Sequence, residues 1–100
     1  MSTWLYQISP ARAGMPDAPT PEEEALVGAH FAYLSAAHAQ GTVTWVARTL
    51  TAPHLGLATV EVGDEVAAQA FLAGDPAVAA GAFVGRIQPL SVVFPHRGAA

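Results

Sequence analysis

The chain is one hundred residues, enough for one small domain, and 52% of it is hydrophobic against 12% charged. Its net charge is −4, and its four Lys+Arg residues are all arginine (Arg12, Arg48, Arg86 and Arg97) with no basic run, which excludes a nucleic-acid-backbone binder. There is no cysteine, so disulfide frameworks and thiolate chemistry are excluded as well.

No uninterrupted apolar run reaches the length of a membrane span. The Met-Ser-Thr start has no basic region ahead of an apolar core, so the expectation is a cytoplasmic chain without a signal peptide, folded as a single domain over residues 1–100. Much of the apolar count is alanine, which buries little area. A second copy of the chain would extend the core and cover sheet edges, so a homodimer is expected.

Residues 3–8 (Thr-Trp-Leu-Tyr-Gln-Ile) read as a strand, and residues 11–21, with Gly14, Pro16, Pro19 and Pro21, as a long loop. Thr20-Pro21-Glu22-Glu23 marks a helix start: a threonine cap, proline at the first helical position, and an acid three residues after the cap. That helix is predicted to run to about Gln40 and to end at Gly41. Its broad face holds Leu26, Val27, His30, Phe31, Leu34 and His38. Residues 42–50 and 56–62 read as strands joined by a turn that holds Pro53 and His54, a hairpin. Asp64 caps a second helix whose buried side is predicted to be Val66, Ala67, Ala70 and Phe71. Asp75-Pro76 starts a short helical turn closed by Gly81. Residues 83–94 read as the last strand, and Pro89 within it demands a bulge, a bend or an edge position. Residues 95–100 read as a loose tail. The order is β-α-β-β-α-β. It predicts an α+β, ferredoxin-like fold: an antiparallel four-stranded sheet with two helices on one face.

His30 stands in an apolar helix face, where an imidazole has to find a hydrogen-bond partner or line a cavity. It is either a satisfied core histidine or a general acid/base, since imidazole titrates near neutral pH. Asp75 is either a plain helix cap or a carboxylate oriented toward His30, which side-by-side helices on one sheet face would permit. Arg48 has two readings also. Facing a pocket, it would favour a small anionic ligand such as a carboxylate; facing solvent, it would be nearly neutral to function. His54 reads as solvated, His38 sits near a helix C-terminus, and His96 lies in the tail. These scattered histidines lack carboxylates at ligand spacing, so no metal and no cofactor is expected.

His30-Phe31-Ala32-Tyr33-Leu34, Gly41, and the run from Ala70 through Gly74-Asp75-Pro76 to Gly81 resemble the YciI-like family, as does Arg86-Ile87-Gln88-Pro89-Leu90 leading into Val92-Val93-Phe94. The resemblance spans nearly the whole chain. It implies a dimeric α+β barrel of ferredoxin-like subunits and an active site built on a histidine–aspartate pair, here His30 and Asp75. Tyr33 and Arg48 are the candidate substrate contacts. Members of the family include enzymes that act on muconolactones, while many others have no assigned reaction. The implied chemistry is cofactor-independent proton transfer of lyase, isomerase or dehalogenase type on a small carboxylate or lactone; the alternative is a non-catalytic, ligand-binding dimer. The chain departs from the family pattern where a Gly-Pro pair is usual late in the second strand: it reads Ala47-Arg48-Thr49. Its first loop is also longer than expected.

Overall fold

The computed structural model describes residues 1–95 and Arg97. His96 and most of the tail expected to be loose lie outside the described residues. The elements are β1 (Ser2–Pro10), α1 (Pro21–Ala39), β2 (Val43–Arg48), β3 (Gly56–Val62), α2 (Glu65–Gly74), the short α3 (Pro76–Ala79) and β4 (Phe83–Pro89). The four strands form one sheet in the order β2-β3-β1-β4, with antiparallel pairing throughout. This is the ferredoxin-like arrangement, with the first and third strands at its centre.

The helix ends follow from the capping residues. Thr20 Oγ1 accepts from the Glu23 amide at 3.1 Å, and Glu23 Oε1 accepts from the Thr20 amide at 2.9 Å, a reciprocal capping box. Gly41 takes the left-handed conformation after α1 (φ 83°), and Gly81 does the same after α3 (φ 81°). Asp64 caps α2 by accepting from Ala67 at 2.9 Å.

Alternation along β1 puts Trp4, Tyr6 and Ile8 on the face that the helices cover, where they meet Ala58, Val60 and Ile87 of the neighbouring strands together with Leu34, Phe71 and Leu72. The buried stripes differ from those expected. On α1 the buried residues are His30, Leu34 and Ala37, spaced i, i+4, i+7, while Phe31 is 50% exposed and His38 is exposed. On α2 they are Ala68, Phe71 and Leu72, and Val66 is 79% exposed. Val66 lies two residues before Ala68, about 200° around the helix and so on the opposite side.

Two strand ends also differ. β4 stops at Pro89 instead of running to residue 94. Pro89 has no amide to extend the ladder, and it falls at the end of an edge strand. Leu90 still donates to Thr3 at 2.9 Å; beyond it Val92, Val93 and Phe94 are exposed. In β2 the alternation slips: Val43 pairs with Val60 but Trp45 with Thr59, so Thr44 is an extra residue, a β-bulge.

Candidate functional site

Three elements converge beneath α1. Asp75 occupies the junction of α2 and α3 and is fully buried. Its backbone closes α2 by donating to Leu72 at 3.2 Å, and its Oδ1 caps α3 by accepting from Ala77 at 3.0 Å. That local geometry turns Oδ2 toward the sheet. There it meets His30 Nδ1 at 2.6 Å and the hydroxyl of Tyr6, which donates to it. The cap reading and the oriented-carboxylate reading of Asp75 therefore both hold, one for each oxygen.

Aromatic rings fix the plane of the imidazole. Tyr6 lies nearly parallel to it at 6.5 Å between centroids, while Phe83 presents an edge at 5.1 Å. Burial pushes the Asp75 carboxyl up, but it is outweighed by the hydrogen bonds from His30 and Tyr6, the charge of His30 and the Ala77 amide, which together hold it below its ordinary value. Burial, then the bond to Asp75, raise the Tyr6 phenol far above its ordinary range, so it remains a donor. Accepting from Nδ1–H leaves Nε2 of a neutral His30 with its lone pair, and no described protein group bonds that nitrogen.

His30 lines an open cavity of about 700 Å³. One wall is the segment between β1 and α1, which folds back as a strap: Met15 is buried, and Pro16 and Pro19 line the cavity beside it. Arg12 fastens the strap with a forked pair to Glu23, at 3.1 and 2.6 Å, and a bond to the Ala18 carbonyl at 2.8 Å. Arg12, then the Thr20 amide, lower the Glu23 carboxyl to about 2.

Arg48, the last residue of β2, pairs with Gly56 and lines the cavity with an exposed side chain. Tyr33 does not line it; its hydroxyl donates to the Phe71 carbonyl at 2.8 Å, and its ring packs on Phe71. His54, expected to be solvated, is half-buried and lines the cavity, because its turn borders that space. Tyr6 is the residue that sequence reasoning missed. Its period-two partnership with Trp4 and Ile8 implied burial, and a buried phenol requires a partner, but nothing local pointed to Asp75. Among the described residues, no group of three or more His, Cys, Asp or Glu side chains is gathered as a metal site would need, and no helix is long and apolar enough to cross a membrane.

Fold and site together define a small ferredoxin-like α+β protein with a buried His–Asp–Tyr cluster beside a cavity. The family model of the YCII-related domain matches residues 6–90, which contain every member of that cluster, and the chain belongs to this family. No curated protein was found to match it.

Proposed function

We propose that the chain is a cofactor-independent enzyme of lyase, isomerase or dehalogenase type that moves a proton on a small carboxylate or lactone. The observation that carries this reading is His30: its Nδ1 is held at 2.6 Å by a buried carboxylate, while the same ring lines the cavity. Asp75 fixes the tautomer, Nε2 takes a proton from carbon beside a carbonyl, and the imidazolium so formed is stabilised by Asp75. Returning that proton to a different carbon completes an isomerisation. Giving it up to solvent after a leaving group departs completes an elimination. Incubating the protein with small lactones and carboxylates in deuterated water, and following exchange at the acidic carbon by NMR, tests the reading. Wild type should catalyse exchange, and His30→Gln should slow it by about 10²–10⁴-fold. Equal rates in the two proteins, or no exchange across the panel, would remove His30 as a base.

A second reading, a non-catalytic ligand-binding protein, draws support from the way the cluster satisfies itself. Asp75 caps a helix and holds two side chains in place, and that is structural work enough to retain it. The exchange experiment separates the two.

The functional unit we propose is a homodimer. The sheet face turned away from the helices carries Leu5, Leu57 and Thr59 with no helix over it, and Trp45, Val84 and Phe94 are exposed large apolar residues. Sedimentation at micromolar concentration should give twice the mass of the chain; a monomer throughout would refute it.

A further inference from the structure

We infer that the cavity selects a small amphipathic carboxylate, anchored by Arg48 at the hairpin end with its apolar body extending toward His30. The inference rests on the proton-transfer reading for the ligand's fate, though not for its binding.

The strand register carries the argument. Tyr6 pairs with Ala58, which pairs with Val46; two residues along, Ile8 pairs with Gly56, which pairs with Arg48. Arg48 therefore sits on the helix-covered face of the sheet, the face that holds Tyr6. The position between Arg48 and Ile8 is a glycine, and it is closed to anything larger: a Cβ on Gly56 would stand 2.8 Å from Ile8 Cγ1. Ile8 reaches over Gly56 on that row, and Ile8, Gly56 and Arg48 all line the cavity. Crossing two strand spacings and two residues puts the Arg48 and Tyr6 backbones about 12 Å apart, a gap that a ligand several bonds long would bridge.

Arg48 is also uncommitted. Arg12 is spent on Glu23 and Ala18, whereas the side chain of Arg48 makes no hydrogen bond or ion pair among the described residues. Arg86 pairs with Gln7 on the opposite face of the sheet. The charged residues lining the cavity are Asp17 on the strap, Glu24 in the first turn of α1 and Arg48 at the hairpin. Of these Arg48 attracts an anion, while Asp17 and Glu24 repel one. A guanidinium meets a carboxylate with two parallel donors, which a neutral amide does not match. The lining also holds the apolar Ile8, Leu34, Val46 and Phe83.

The test is an NMR titration of the ¹⁵N-labelled full chain with 3-phenylpropionate and with its neutral amide, for wild type, Arg48→Ala and Arg48→Lys. Wild type should bind the acid at least about tenfold more tightly than the amide, with shifts at Leu34 and Val46. Arg48→Ala should reduce acid affinity to the amide's level and leave the amide unchanged, and Arg48→Lys should fall between. Equal binding of acid and amide, no binding of either, an acid affinity indifferent to Arg48→Ala, or shifts remote from the cavity would overturn the inference. Acid-selective binding without carbon-acid exchange on any ligand would sink the proton-transfer reading alone. Exchange without selectivity for the acid would sink this one alone.

Discussion

Asp75→Ala is expected to cost about 3–5 kcal/mol of unfolding free energy, a large share of what a domain of this size possesses. The substitution does more than remove a cap. It leaves His30 Nδ1 and the Tyr6 hydroxyl facing an empty buried site, and buried polar groups stripped of partners are expensive. Asp64 supplies an internal control, since it too caps a helix through its side chain but is exposed and holds no other side chain. Asp64→Ala should cost only about 1 kcal/mol. Paired urea unfolding curves decide the matter, and equal costs would reduce Asp75 to a helix cap. Asp75→Asn separates stability from chemistry. Its carbonyl oxygen keeps the bond from Ala77, while its NH₂ donates to Nδ1 and forces the tautomer with the proton on Nε2. That variant should lose less stability than the alanine and still lose carbon-acid exchange.

Tyr6→Phe is the second large effect, about 1.5–3 kcal/mol at neutral pH for loss of a hydrogen bond to a charged group. It also has a signature in acid. A carboxyl whose folded pKa lies below its unfolded value contributes stability that is fully present above the unfolded value and is lost as pH falls through the folded one. Asp75 is such a group, its ordinary value being 3.8 and its folded value lower. Its contribution should persist at pH 5 and fade below pH 3.8. Removing the phenol takes away one of the donors that hold the carboxyl down, so acid unfolding of Tyr6→Phe should begin at higher pH than in wild type. Circular dichroism across an acid titration checks this; superimposable acid transitions would deny Tyr6 any part in setting the charge on Asp75.

The order of elements was legible because the signals for it are local. The capping box at Thr20, the Asp64 cap, the Asp75-Pro76 pair and the change of hydrophobic period each lie within a few residues of the structure they specify. The pairing of His30 with Asp75 was approachable because two helices on one sheet face must lie side by side. Tyr6 was not, since its partner is 69 positions away and a strand aromatic looks the same in sequence whether its hydroxyl is bonded or bare. The helix stripes were misplaced at Phe31, His38 and Val66 because alanine fills buried and exposed positions alike, blurring the boundary that a wheel relies on. His54 was misplaced because its place beside the cavity comes from tertiary packing, which nothing in its own turn announces.

Thr44 leaves β2 with its two halves out of phase, and the phase determines what a change of length would do. Deleting Thr44 would let Val43 and Trp45 alternate regularly, with Val46 and Arg48 still opposite Ala58 and Gly56. Deleting Ala47, only three positions on, would keep the slip and carry Arg48 to the outer surface, away from His30. Two losses of a single residue therefore have different meanings: one breaks the Thr44–Thr59 hydroxyl bond but keeps Arg48 at the cavity, and the other removes Arg48 from the cavity while the His30–Asp75–Tyr6 cluster stays untouched. Under the Arg48 anchoring proposed above, ligand preference on this scaffold would diverge by changes in strand length alone, with no substitution at any lining residue.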